Sequence, residues 1–210
     1  MRKKQLIVFF ILFMMMTMIT DSYARSIIED DWKKNIKIEQ EQLDTVVDDN
    51  EKIERRFRLA VAYANLGQLE SAMDEFRELT KLDGGRKTKD FVRKYEKIYI
   101  GDKNNLFTIN YLAFAYYADE QLERSREFFY KIIELDPKNN WAYNYLGIVH
   151  HMLDDDEKAL KVLKKSEKIE KNDYTNLLLS MAYYENGNKL KAVWYMSKAG
   201  GKALKLINMK

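Results

Sequence analysis

A pattern of about 34 residues recurs along this chain after residue 50, and it constrains the fold more than any other feature. The clearest unit spans residues 106–139, and units at 140–172 and 173–200 follow it without a gap. An earlier unit occupies residues 53–85. With one proline and eight glycines, the chain lacks the many turns that sandwiches and barrels need. The fold class is therefore predicted to be all-α.

Small residues recur at two places in every unit, where the two helices of one repeat would approach each other closely. The first set is Ala60, Ala113, Gly147 and Ser180, and the second set is Ala72, Ser125, Ala159 and Ala192. This pattern resembles the tetratricopeptide repeat, a helix–turn–helix unit. The resemblance implies a right-handed superhelical solenoid of about four repeats with extra flanking helices. The alternative is a generic helical bundle with coincidental spacing.

Residues 25–52 and 86–105 fall outside the repeats, and each segment predicts a helix with one apolar side. The apolar positions are Ile28, Trp32 and Ile36 in the first segment, and Phe91, Tyr95 and Ile98 in the second. We expect the first helix to cap the array and the second to disturb the regular stack. Residues 201–210 predict a short cationic cap after Gly200 and Gly201 end the last helix, with Leu204 and Ile207 turned inward.

Residues 1–24 have the three-part layout of a secretory signal. A basic start precedes an apolar run over residues 6–19, and Ser22 and Ala24 are the small residues before a cut. This run is shorter than the about 20 apolar residues that span a bilayer. We predict a signal peptide that is cleaved after Ala24, with an uncleaved membrane anchor as the less favoured alternative. The chain is thus expected to be periplasmic or secreted, or else anchored to the outer face of the cytoplasmic membrane.

The basic excess of the chain belongs to this leader. The full sequence has 36 lysines and arginines against 33 acidic residues, whereas residues 25–210 have 33 against 32. A near-neutral chain without a stripe of basic residues has little of the charge that nucleic-acid binding requires, so no nucleic-acid partner is predicted. The lack of cysteine excludes a thiolate nucleophile and a cysteine zinc site. No cofactor is predicted, and contact with a membrane is expected only through an uncleaved leader.

In tetratricopeptide proteins the first helix of each repeat lines a concave groove, and the resemblance implies which residues lie there. They are Phe57, Val61, Ala64, Phe107, Asn110, Phe114, Tyr117, Trp141, Asn144, Ile148, His151, Leu177, Met181 and Tyr184. This aromatic, neutral surface suits an apolar helix or an extended peptide of a protein partner. Asn110 and Asn144 occupy the same position in consecutive repeats, and their amides are expected to bind a peptide main chain. The alternative is that these aromatic residues pack between first helices or under the N-terminal cap.

The sequence contains no motif for catalysis or metal binding. Its two histidines, His150 and His151, are adjacent and therefore point to different sides of a helix. Residues 154–156 are three aspartates that are expected to cap the next helix. The chain is thus predicted to be a non-catalytic adaptor of the cell envelope. The alternatives are an envelope enzyme or small-ligand receptor that uses His151, Tyr117 and Tyr184, or a homo-oligomeric structural component.

Overall fold

The computed structural model describes residues 29–83, 87–201 and 205, and this part of the chain contains ten helices and no strand. The described part of α1 covers residues 29–43. The others are α2 (Asp49–Asn65), α3 (Leu69–Asp83), α4 (Thr88–Gly101), α5 (Leu106–Ala118), α6 (Leu122–Leu135), α7 (Asn140–Met152), α8 (Asp156–Ile169), α9 (Asp173–Glu185) and α10 (Lys189–Lys198). Gly200, Gly201 and Lys205 are helical as well, and α10 ends at Lys198, so the prediction that Gly200 and Gly201 end the last helix was wrong. The predicted all-α repeat superhelix is confirmed. The leader at 1–24, Ile28, Leu204 and Ile207 lie outside the described residues.

The first helix of each repeat begins in the same way. Asp48, Asn105, Asn139 and Asn172 precede α2, α5, α7 and α9, and each side chain accepts a hydrogen bond from the backbone N–H three residues later. These four bonds measure 2.8, 2.9, 3.0 and 2.7 Å in chain order. A capping side chain satisfies one of the N–H groups that have no partner within the helix. One cap residue thus marks the start of every repeat.

The turn inside each repeat also recurs. Its left-handed residue is Gly67, Glu120, Asp154 or Gly187, with φ values of 67, 58, 57 and 75°. The next residue donates its N–H to the carbonyl five positions earlier, at 2.8–2.9 Å in all four repeats. Asp155 then accepts from the Lys158 N–H and begins α8, as expected for the aspartate cluster. The four helix pairs α2–α3, α5–α6, α7–α8 and α9–α10 are therefore one repeated motif.

The small residues lie where the two helices of a repeat cross. A Cβ atom on Gly147 would lie 2.7 Å from the side chain of Leu163, which is closer than real contacts allow. The hydroxyl of Ser125 donates to the Ala113 carbonyl at 2.9 Å. Ser125 and Ala113 both belong to the two sets of small residues that recur in the sequence. Close approach of the helices is therefore the reason for the small side chains.

The intervening helix α4 changes the order of packing. In the later repeats each second helix packs along the first helix of the next repeat, but here α4 rather than α3 packs along α5. Phe91, Val92 and Tyr95 of α4 are buried, and the Phe91 ring stacks on Phe57 with the centroids 4.4 Å apart. Ile98 is 43% exposed, so the prediction that it lies on the buried side was wrong. Of the helices α2 to α10, only α2 packs extensively along α3.

Helix α1 reaches further than a cap of the first repeat. Trp32 is buried, and its ring centroid lies 4.3 Å from that of Phe107 in α5. Glu39 accepts from Arg55 at 3.0 Å and from the Arg58 Nε at 2.7 Å, which joins α1 to α2. The helix therefore covers parts of two repeats. Among the described residues, none of the helices is long and apolar enough to cross a membrane.

We predict that Gly147→Ala destabilises the protein by about 1–3 kcal/mol, because the added methyl group overpacks the contact with Leu163. The matched control is Gly101→Ala at the end of α4, where an added Cβ has no atom within 4 Å. Urea unfolding followed by circular dichroism measures both changes. Equal stability of the two variants would contradict this account of the small-residue sites.

Candidate functional site

An apolar cavity lies between the α2–α3 pair and the helices α5, α6, α7 and α9. It has a volume of about 510 Å³, and Met181 at its edge is 46% exposed. One wall contains Phe114, Tyr117, Ala118, Phe129, Tyr145, Ile148, Tyr174, Leu177, Leu178 and Met181, and the other contains Ala64, Leu69, Ala72, Met73 and Phe76. Among these residues no side chain is charged. We call this cavity the groove.

Three of the residues predicted for the site form a row along the first wall. Phe114, Ile148 and Met181 occupy equivalent positions in α5, α7 and α9, and all three line the groove. Phe114 is nearly buried, whereas Met181 is 46% exposed at the edge. Tyr117 also lines the groove, one helical turn after Phe114. The row therefore runs from a buried floor to an exposed rim.

The opposite wall comes mainly from α3, a second helix of a repeat, whereas the resemblance implied that only first helices line the groove. Met73 and Phe76 of α3 line the groove, and the Phe76 ring lies 6.4 Å from that of Phe114 in a stacked arrangement. They face it because α4 takes the place beside α5 that α3 would fill in a regular array. The predicted disturbance of the stack was the only signal in the sequence for this second wall.

The turn between α2 and α3 contacts α7 at one end of the groove. Any side chain at position 67 would overlap the indole ring of Trp141, so Gly67 allows the turn to rest directly on this ring. The Tyr145 hydroxyl donates to the Ala64 carbonyl at 2.9 Å. Residues 81 positions apart are thus joined across the concave side. A regular array would leave this side as an open trough, but here it is a pocket with two walls.

The two asparagines do not serve the role that was predicted for them. Asn110 and Asn144 are buried, with exposed fractions of 1 and 0%. The Asn110 amide donates to the Leu106 carbonyl at 2.8 Å, and the Asn144 amide donates to the Thr175 hydroxyl at 3.0 Å. Both side-chain amides donate to acceptors inside the chain. The prediction that they bind the main chain of a peptide was therefore wrong.

Four further predicted residues lie outside the groove. Phe107 is covered by Trp32 of α1, in agreement with the alternative that aromatic residues pack under the cap. Trp141 is half-buried against Gly67 and lines a smaller cavity of about 240 Å³ on the other side of this contact. His151 is exposed and bonds to Asp156 at 2.6 Å. Tyr184 is 59% exposed, because it lies one turn past the rim at Met181.

Neither of the two histidines is among the described residues that line the groove. His150 is buried and shares a hydrogen bond with the Tyr130 hydroxyl at 3.0 Å, and its burial lowers its pKa. Within residues 29–83 and 87–201, no group of three or more histidine, aspartate and glutamate side chains is arranged to hold a metal ion. The polar atoms of the groove are mainly tyrosine hydroxyls. The site therefore suits the binding of an apolar group better than the movement of a proton.

Three tyrosines that line the groove have pKa values raised by burial. Burial raises the pKa of Tyr174 to about 12, and it raises the pKa of Tyr145 well above the ordinary value of 10. Burial also raises the pKa of Tyr117 at the rim. A phenol whose pKa rises on folding keeps its proton in the folded state. Ionisation of these three side chains therefore opposes folding.

We predict that the free energy of unfolding falls as the pH rises above 10. Below pH 10 the phenols are neutral in both states, so their contribution is fully present. Above it, the unfolded chain releases protons that the groove retains, and the contribution of Tyr174 is lost as the pH approaches its folded pKa of about 12. Urea unfolding between pH 9 and 12 should show a shallower decline for Tyr174→Phe than for the wild type. Tyr184→Phe, at an exposed site, is the control and should follow the wild type.

Comparison with known proteins agrees with the repeat architecture. A family model described as tetratricopeptide repeat matches residues 53–85 and 112–139. No curated protein matches the sequence. A crystal structure of a MamA protein shares 18% identity and a TM-score of 0.51, covering 77% of this chain and 97% of that one. A double mutant, MamA RS-1 ArsTM, shares 15% identity and a TM-score of 0.50, covering 86% and 98%.

A third solved structure is TTC0263, a thermophilic tetratricopeptide protein of Thermus thermophilus. It shares 18% identity with a TM-score of 0.49, and the alignment covers 74% of this chain and 94% of that one. At these identities, likeness to a solved structure speaks for the fold alone. The repeated caps and turns, the family model and the MamA fold agree with one another. Residues 53–85 and 112–139 are similar to the tetratricopeptide repeat, and the described chain has the fold of an all-α repeat superhelix.

Proposed function

We propose that this protein is a non-catalytic adaptor of the cell envelope that binds an apolar helix or extended segment of a partner protein in the groove. The tetratricopeptide fold is a scaffold for protein–protein interactions, because stacked repeats present a long concave surface. The single observation that supports the proposal is the groove itself, a cavity of about 510 Å³ without a charged side chain among its described lining residues. Such a volume accepts several side chains of a partner.

The lining favours apolar anchors over charged ones. Neither lysine nor arginine is among the described residues of the groove, so the carboxylate end of a peptide would lose water without gaining a counter-charge. Phe76 and Phe114 lie close together in the groove, with their ring centroids 6.4 Å apart, and the Tyr145 ring lies 4.9 Å from that of Phe114. Aromatic and methionine side chains of this kind are typical of the centres of protein interfaces. The partner segment is therefore expected to insert leucine, isoleucine or phenylalanine side chains.

The geometry argues against the enzyme and small-ligand alternatives. Those hypotheses needed His151, Tyr117 and Tyr184 to converge, but of these three only Tyr117 lines the groove. His151 instead bonds to Asp156 at 2.6 Å. A small-molecule site usually combines an apolar pocket with a few convergent polar groups. The groove has the first property, but His151 and Tyr184 are not among its lining residues.

The proposed location of the protein in the cell envelope is inferred from the predicted signal at residues 1–24. Residues 1–24 predict export through a basic start, an apolar run and small residues before the cut at Ala24. Export would place the groove in a compartment where exposed segments of other envelope proteins are available. A protease-protection assay on intact and permeabilised cells tests this part of the proposal separately, because it does not depend on the groove.

We predict that Met181→Glu weakens partner binding at least about tenfold, since a carboxylate at the rim must be desolvated when an apolar segment enters. Met152→Glu is a matched control, because Met152 is 45% exposed against 46% for Met181 and does not line the groove. Benzoylphenylalanine placed at each position in cells identifies the partner by photo-crosslinking. The purified partner segment then gives the two dissociation constants by fluorescence anisotropy.

The expected result is an adduct from position 181 with none from position 152, together with a binding defect in Met181→Glu alone. Circular dichroism checks that both variants remain folded. Equal adducts from the two positions, or equal affinities of the two glutamate variants, would rule out the groove as the binding site.

A further inference from the structure

Helix α10 carries large apolar side chains on the side that faces away from α9. Leu190, Val193 and Trp194 are 87, 70 and 50% exposed. Ala192 and Tyr195, on the opposite side of the same helix, are buried. We call the exposed set the α10 face. Three neighbouring side chains of this size at the surface call for an explanation, because isolated ones are common but contiguous apolar patches mark sites of interaction.

The earlier repeats show that the architecture does not require this face. The relevant positions lie two residues before and two residues after the small residue of each second helix. The earlier repeats have charged residues there, namely Glu70 and Asp74 in α3, Glu123 and Glu127 in α6, and Glu157 and Lys161 in α8. The last repeat has Leu190 and Trp194 instead. The exchange of charged for apolar side chains is therefore particular to α10.

Lysines surround the α10 face. Lys189, Lys191 and Lys198 are all exposed, and the Lys198 amine lies 3.4 Å from the centroid of the Trp194 ring. Lys164 of α8 and Lys191 both lie near the ring of Tyr183, at 5.3 and 5.2 Å, so α8 adds to the same surface. From residue 186 to the end, the sequence contains six lysines and no acidic residue. Positively charged side chains therefore flank the apolar side chains of the α10 face.

The net charge of residues 25–210 is close to zero, but basic and acidic residues are unevenly distributed along the chain. Residues 25–155 have 21 basic against 26 acidic side chains, whereas residues 156–210 have 12 against 6. The first part is therefore net negative and the second net positive. An anionic surface would attract the end of the molecule that carries α10 and repel the other end. The charge distribution therefore orients the protein as well as attracting it.

We propose that the α10 face binds the surface of an anionic lipid bilayer. Leu190, Val193 and Trp194 enter the headgroup region, and the surrounding lysines remain at the level of the phosphates. Tryptophan favours the membrane–water interface, and long lysine stems extend past apolar groups to keep their amines in water. Apolar burial and attraction to anionic headgroups together give the affinity of such peripheral helices. This contact is independent of the groove and of the predicted leader.

The same lysines argue against a second copy of this face as the occupant. A symmetric dimer through α10 would bring the lysines of one subunit close to the same lysines of the other, because both subunits use the same patch in such an interface. Like charges brought together at an interface disfavour the complex. A bilayer that contains anionic lipid supplies the opposite charge over an area wide enough for all of them.

The test uses the full chain with vesicles of phosphatidylcholine alone and of phosphatidylcholine mixed with phosphatidylglycerol, both containing brominated acyl chains. Brominated chains quench only tryptophans that enter the bilayer. The leader has no tryptophan, so it does not contribute to the signal even if it inserts. The contribution of Trp194 is the difference between the wild type and Trp194→Phe. We expect this difference to be large with phosphatidylglycerol and near zero without it.

A charge variant and its matched control complete the experiment. Lys189→Gln, Lys191→Gln and Lys198→Gln together should lower the affinity of the α10 face for anionic vesicles on the order of a hundredfold, which removes the Trp194-dependent quenching. Lys89→Gln, Lys97→Gln and Lys103→Gln change the same number of exposed lysines around α4, and this variant should retain the quenching.

Three results would overturn the proposal. The first is quenching of Trp194 that is equal with and without phosphatidylglycerol, and the second is no quenching of Trp194 on anionic vesicles. The third is a blue shift of Trp194 emission that grows with protein concentration in the absence of vesicles, because it would assign the face to a second copy of the chain.

Discussion

The contact between the turn at Gly67 and the indole of Trp141 joins the first repeat to the third across the concave side of the molecule. Helices α5 to α10 form three regular repeats, whereas α1 to α4 contain one repeat and two additional helices. The turn rests on the ring because position 67 has no side chain, and its φ of 67° also favours glycine. The hydrogen bond from Tyr145 to the Ala64 carbonyl lies beside it. These contacts bring a wall of the first repeat to the concave side of the third.

The inserted helix α4 explains why such a contact is possible. A regular array keeps every second helix on the convex side, where it packs on the first helix of the next repeat. Because α4 packs on α5 instead, α3 is free to direct Met73 and Phe76 toward Phe114. One extra helix thus converts an open trough into a groove with two apolar walls. Helices of both parts, α1 to α4 and α5 to α10, therefore form the groove.

Those features of the fold that repeat, or that depend on neighbouring residues, could be predicted from the sequence. The small residue at Gly147, the aspartate cap at Asp155 and the helical character of residues 88–101 all follow from local spacing, and the structure agrees. The row of Phe114, Ile148 and Met181 also followed from the repeat period. The period relates each of these positions to an equivalent one, so a single pattern determines all of them.

The remaining features depend on contacts between distant segments. Periodicity places Asn110 and Asn144 on the concave side, but it cannot show that Thr175 or the Leu106 carbonyl will take up their amides. Likewise, nothing local shows that Trp32 covers Phe107. In the last repeat, Leu177 and Met181 of α9 line the groove, whereas Leu190 and Trp194 of α10 lie on the side away from α9. A partner segment in the groove and a membrane at the α10 face would therefore approach from different sides, so one repeat can hold both at once.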